Sequence, residues 1–256
     1  MVSNATGLLT GLFTAPLYVQ YLGEAAYGSL LLISVIILYA ELVDLGISGG
    51  CLRHTSAALR CGEVHRIPGL LGTAWLIQVA MASVGTVVLI GFSSWLMRSL
   101  LQIPDFLLAE VIFAFRLNAV SFWLNFVSGI PATVATAWGR FDIYGKVSAI
   151  SLILKAIGGV GAAGLGFGLV GVGFVSLFVD SFVLGYNLWM ANRFFSLFPW
   201  RLTWDKKSLR DILLFGRAIT LTAVFQRVMA HWEKILLGRY VSASIVPYYS
   251  IPHSIP

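Results

Sequence analysis

The stretch DILLFGRAITLTAVFQRVMAHWEKILLGR, residues 211–239, is long enough to cross a bilayer and yet carries five basic or imidazole side chains. At about 100° per residue, Arg217, Thr220, Val224, Arg227, His231 and Lys234 fall within a roughly 100° arc of one helix face. From Arg217 to Lys234 this stripe runs about 26 Å at ~1.5 Å per residue, close to the ~30 Å hydrocarbon thickness. A cation at that depth costs at least about 2.5–3.5 kcal/mol on insertion scales, so the face is expected to look onto a protein-lined, watery cavity that receives something anionic. Arg217 and Lys234 lie near the ends of the span, where snorkelling to headgroups is an equal explanation. Arg227 and His231 lie nearer the middle, where the competing explanation is an ion pair with a neighbouring helix.

Composition agrees with a membrane setting. The chain is 58% hydrophobic and only 11% charged, with a mean hydropathy of +0.87, far from the composition of soluble domains. The formal charge of +6 does not point to nucleic acid, because the basic residues are dispersed among loops and spans. Cys51 and Cys61 flank a polar connector and read as ordinary free thiols. No cleaved signal peptide is expected at the start, and the Asn4-Ala5-Thr6 sequon is too short a match to use.

In chain order, spans are expected at 5–22, 27–46, 67–92, 106–138, 145–167 and 170–191, followed by the basic span and the opening of an eighth from 246. The first ends at Pro16 and the turn-like residues 21–24. The fourth is expected to bend or break near Pro131. The fifth and sixth form a tight glycine-rich hairpin. Residues 48–66 and 192–210 are too polar to span and read as surface connectors. The connectors after spans two, four and six hold about ten Lys or Arg residues, Lys146 at the edge of the fifth span included, against Arg98 and Arg239 after the others, which places the even connectors and the N-terminus in the cytoplasm. Trp95, Trp138, Trp189, Trp200 and Trp204 lie near span ends, as interfacial aromatics do. A shift of 219 positions lays Leu17, Tyr21, Leu22 and Tyr27 on Leu236, Tyr240, Val241 and Val246, an echo of the internal repeats of transporters. Residues 1–210 are therefore expected to form a six-helix lobe and 211–256 the first helix of a truncated second one.

Four stretches carry a family resemblance: PLYVQYLGEAAYG (16–28), LVDLGISGGCLRH (42–54), WGRFDIYGKVS (138–148) and EKILLGRYVSASIVPYYS (233–250). In order and spacing they resemble the polysaccharide transport proteins of the multidrug/oligosaccharidyl-lipid/polysaccharide (MOP) flippase superfamily, including O-antigen and exopolysaccharide flippases. The resemblance implies an all-α bundle of two six-helix lobes around a central cavity, working by alternating access. It also implies an inner-membrane flippase that moves undecaprenyl-diphosphate-linked sugar units outward. Membrane lipids, a polysaccharide polymerase and a chain-length regulator are the partners it suggests. Glu233 stands where such proteins often carry Asp, and the chain reads as a fragment with one lobe and one helix.

The remaining intramembrane charges are Arg116, Lys155 and Asp180. Lys155 and Asp180 occupy neighbouring helices of a hairpin, as a structural pair or with Asp180 as a coupling group tuned by Lys155. Glu233 is a second coupling candidate. On the fourth span Glu110, Asn118, Ser121, Asn125 and Ser128 share a roughly 80° arc, suited to sugar hydroxyls or to helix packing. Arg116 points the other way, but a guanidinium there pairs well with phosphate oxygens. Glu41 and Asp44 are expected to pair with loop cations such as Arg53. The glycines from Gly158 to Gly173 read as close helix packing, since no Lys-Ser/Thr follows them. The histidines are scattered, no carboxylate pair has metal-ligand spacing and no nucleophile elbow occurs, so neither an enzyme nor a cofactor or metal is expected. The expected cationic cavity is Arg217, Arg227, His231 and Lys234 with help from Arg116 and Lys155. The rivals are a MATE-like exporter of drugs or other organic cations, which wants a net negative cavity, a membrane polysaccharide polymerase or ligase, and a non-transporting fragment.

Overall fold

The computed structural model describes residues 2–44, 46–101, 103–194, 222 and 225, and among them every regular element is helical. In chain order these are α1 (Val2–Leu22), α2 (Glu24–Ala40), α3 (Ile47–Arg60), α4 (Ile67–Trp95), α5 (Asp105–Ala137), α6 (Phe141–Gly164) and α7 (Gly168–Phe194). A 3-10 turn at Glu41–Asp44 prolongs α2, and a π turn at Leu96–Leu100 prolongs α4. Five described stretches are long and apolar enough to cross a bilayer: Glu24–Asp44, Val64–Leu100, Asp105–Ala137, Phe141–Gly164 and Gly168–Arg193. The chain is an all-α, multi-pass membrane protein. Apart from residues 222 and 225, the basic span lies outside the described residues, as do the echo at 236–246, the boundary at 210, Trp200 and Trp204.

The connector after α2 is a helix rather than a loop. In α3, Ile47, Cys51, Thr55 and Ala58 are buried at spacings of four, four and three, while Arg53 and Arg60 are exposed. That apolar face packs on Ile67, Leu70 and Leu71 of α4 and Ile130 and Val134 of α5, with Ala191 of α7 in the same cluster. Burial pushes the Cys51 thiol up to about 12, whereas Cys61 is exposed, and both are free. Arg53, Arg60, Arg66, Arg140, Lys146 and Arg193 consequently belong to the end of the bundle that α3 covers.

Pro16 lies inside α1, which ends at Leu22, the expected end of the 5–22 span, at a turn where Gly23 takes φ 83°. At Pro131 the expected break does not occur. α5 runs unbroken through Pro131 for 33 residues. A proline at 131 cannot donate to the carbonyl of Val127, and in lipid such a freed group needs another partner. Here the Trp75 indole Nε1 of α4 donates to Val127 O at 3.2 Å, and Ile130 N donates to Gln78 Oε1 at 3.2 Å. Two side chains of α4 thus hold the backbone that Pro131 disturbs.

The α6–α7 hairpin closes in a few residues. Phe167 N donates to Ala162 O at 3.0 Å and Gly166, at φ 83°, supplies the left-handed turn. Gly168, at φ 60°, lets the backbone approach Glu110 of α5, whose Oε1 accepts from Leu169 N at 2.7 Å and so caps the start of α7. Along α6 only Gly159 and Ala163 are buried. A Cβ on Gly159 would run into the hydroxyl of Tyr18, which stacks on Tyr27 with ring centroids 5.7 Å apart. The second half of α6 therefore packs on α1 through small residues.

Candidate functional site

A cavity of about 500 Å³ lies among α2, the start of α3, α4, α5, α6 and α7. Ser48, Gln78, Asn118, Ser121, Asn125, Tyr144 and Ser176 line it with uncharged polar groups, and Ile37, Phe122, Phe126 and Gly129 supply apolar wall. Its charges are Glu41, Asp44, Asp180 and Lys155, three carboxylates against one ammonium.

Asp180 ties α7 to both α5 and α6. It is almost wholly buried on α7, and Lys155 Nζ of α6 lies 2.7 Å from its Oδ1. Ser121 Oγ donates to Oδ2 and Asn125 Nδ2 to Oδ1, the latter at 3.3 Å. A buried carboxylate in a membrane bundle needs such donors, since desolvating it unpaired is prohibitive. Lys155 is a third exposed and lines the cavity. Asn118 Nδ2 donates to Ala114 O at 2.9 Å, which leaves its carbonyl oxygen for a visitor.

At the α2–α3 joint, Asp44 accepts from Ser48 Oγ at 2.8 Å and from Ser48 N at 3.3 Å. Gln78 Nε2 donates to Ser48 Oγ at 3.1 Å while its Oε1 serves Ile130. The floor of the cavity and the proline region of α5 therefore share one hydrogen-bond chain, Asp44–Ser48–Gln78–Ile130. Gly129 sits beside it, where a Cβ would meet Gln78 Nε2 at 3.0 Å.

The structure brings Lys155, Asp180, Asn118, Ser121 and Asn125 into this one cavity. Ser128, one turn further along the stripe, is buried and accepts from Asn187 Nδ2 at 2.7 Å. Glu110, at the other end of the stripe, caps α7. Arg116 does not line the cavity. It is exposed and its Nε donates to Ser93 Oγ of α4 at 3.1 Å, because it projects from the opposite face of α5. Arg217, Arg227, His231, Lys234 and Glu233 lie outside the described residues. Gln78, Ser48, Tyr144 and Ser176 were not picked out from sequence. Gln78 carried the clearest available signal, an amide in the middle of an apolar span. No group of three or more metal-ligating side chains occurs among the described residues.

A family model of polysaccharide biosynthesis proteins matches residues 21–256. The chain belongs to that family. Among curated proteins, none matches it significantly. In the solved structures, a mutant of the Vibrio cholerae MATE transporter VcmN is 16% identical, with a TM-score of 0.74 over 99% of this chain and 61% of that one. A MOP superfamily transporter from Pyrococcus furiosus, described as having a binding pocket of reverse polarity and a suggested different function, is 14% identical, with a TM-score of 0.66 over 99% and 60%. A MATE protein in complex with MaD3S is 13% identical, with a TM-score of 0.68 over 99% and 62%. At these identities the likeness is one of fold, and that fold is the MOP/MATE one. The family member described here spans about 61% of the length of the VcmN structure.

Proposed function

We propose that this chain is the N-terminal part of a flippase that carries lipid-linked oligosaccharide, built on undecaprenyl diphosphate, across the bacterial inner membrane for surface polysaccharide synthesis. The observation that carries this reading is the polar cavity: seven uncharged hydrogen-bonding side chains that open among apolar helices suit a cargo rich in hydroxyls. Membership of the polysaccharide biosynthesis family supports the same class of cargo. In this reading residues 1–210 form one lobe and 211–256 begin the second, with the N-terminus in the cytoplasm. Asn118, Asn125 and Ser121 meet sugar hydroxyls, and the Lys155–Asp180 pair holds α6 to α7 beside them, with Asp180 and Glu233 as coupling groups. Arg217, Arg227, His231 and Lys234 would face the diphosphate, and the polymerase and chain-length regulator would receive the product.

The test is translocation by the full-length protein. Asn118→Ala removes one free acceptor from the wall and is expected to slow delivery of surface polymer by about threefold to tenfold, the worth of one hydrogen bond, while Val120→Ala on the outer face of α5 leaves it unchanged. Arg227→Ala should impair it further. Normal surface polymer from both polar variants at normal expression would overturn the assignment.

One observation favours a second reading. Three carboxylates against one ammonium would attract an organic cation. Export of a cationic dye that fails in Asp180→Asn, with polymer unaffected, would select that alternative.

A further inference from the structure

A second hollow, of about 420 Å³, opens between α6 and α7 away from the polar cavity. α6 divides the two: Tyr144 and Lys155 line the polar cavity, and Ile143, Val147, Ile150 and Leu154 line the groove. The first half of α6 buries none of its residues, so nothing apolar closes this gap from within the described chain. Val179, Phe182 and Val183 form the facing wall on α7.

The groove is amphipathic along its length. Arg140 and Lys146 stand at one end, at the end of the bundle where the described cations gather. Asp142 takes Arg140 through Nε at 3.0 Å and Nη2 at 3.2 Å, which leaves Nη1 free, and Lys146 has no ion-pair partner among the described residues. Asp142 stands in the first turn of α6 and its carboxylate also accepts from the backbone there, so the positive end of the groove rests on Lys146 and the free Nη1 of Arg140. From Arg140 to Leu154 the helix rises about 21 Å, which matches one bilayer leaflet with its headgroup layer, half of about 40–45 Å. A phosphate at the basic end and a chain down the apolar wall is the shape of one membrane lipid.

We propose that the α6–α7 groove is a binding site for an anionic glycerophospholipid, with its phosphate on Lys146 and Arg140 and one acyl chain along Ile150, Leu154 and Phe182. The lipid closes, from the bilayer side, the gap that Lys155 and Asp180 bridge on the cavity side. This site is independent of what the polar cavity carries.

The test is native mass spectrometry of the full chain, delipidated in mild detergent and titrated with phosphatidylglycerol or phosphatidylcholine of identical acyl chains. The expected result is one tight phosphatidylglycerol event that weakens about thirtyfold in R140Q/K146A, at the ~1 kcal/mol that each of the two surface cations contributes to anionic lipid. Leu154→Trp, which fills the apolar wall, should remove that event, and Arg98→Ala at the opposite end should leave it intact. Equal retention of the two lipids would overturn the proposal, and so would phosphatidylglycerol binding unchanged in R140Q/K146A. Absence of any tight event in the wild-type chain, as when residues 195–256 fill the groove, would overturn it as well.

Discussion

The two seams of α7 are built on opposite principles. Against α5 it makes specific polar contacts spread along its length: Glu110 caps Leu169, Ser121 and Asn125 reach Asp180, and Asn187 reaches Ser128. Gly173 lets the two backbones close up against Leu117. Against α6 it has a close glycine contact at one end, where Gly158 meets Val175, and then an opening gap crossed by Lys155 and Asp180. In lipid the apolar surfaces of helices gain little by meeting each other, so packing and hydrogen bonds decide which helices stay together. The α5–α7 seam is therefore the rigid one, and the α6–α7 seam is where a cavity on one side and a groove on the other can form.

Removing the shared carboxylate is the most severe way to break this contrast. Asp180→Ala strands the Lys155 ammonium and unpairs Ser121 and Asn125, and is expected to lower stability by about 2–4 kcal/mol. Thermal unfolding in detergent would show it. Adding Lys155→Met to that variant should recover much of the loss, because the stranded charge is then gone. A single variant as stable as wild type would mean that the network contributes nothing.

The glycine end of the α6 packing is the next most sensitive place. Gly159→Leu drives a side chain into Tyr18, which is buried and stacked on Tyr27 and so cannot yield cheaply. Overpacking of this kind should cost about 1–3 kcal/mol. The same measurement on Ile157→Leu, at an exposed position two residues away, is expected to show no change within about 0.5 kcal/mol.

The smallest effect sharpens the account of the rigid seam. Glu110→Gln keeps an acceptor for Leu169 N and loses only the charge at the start of α7, a cost of about 0.3–1 kcal/mol. A larger loss would show that the carboxylate does more than cap the helix.

Much of the architecture was legible from residue order. Spans expected at 67–92 and 106–138 compare with α4 at Ile67–Trp95 and α5 at Asp105–Ala137, because runs of apolar residues bounded by charge and Pro/Gly are a local signal. The polar connector at 48–66 had the right location, and its helical, half-buried form follows from the spacing of Ile47, Cys51, Thr55 and Ala58. The consequence of Pro131 was not legible. Its neighbours in sequence say that α5 should bend or break there, and the groups that serve the backbone of the unbroken helix, Trp75 and Gln78, lie more than fifty residues earlier. The polar stripe of α5 could be drawn from helical geometry alone. Which of its members would face a cavity, cap a helix or lock to α7 could not, since that depends on the neighbour at each level.

The sequence by itself determined that this chain crosses a membrane several times, where its described spans begin and end to within a few residues, and which family it resembles. Periodicity, apolar length and motif order are all readable within a single segment. Only the tertiary structure decided that Lys155 meets Asp180 while Arg116 turns to Ser93, that Glu110 serves α7, and that α6 stands apart from α7 along half its length. Those outcomes depend on distances between side chains far apart in the chain. In a bilayer every polar group must find its partner inside the protein, so the packing, and not the span, assigns each one its role.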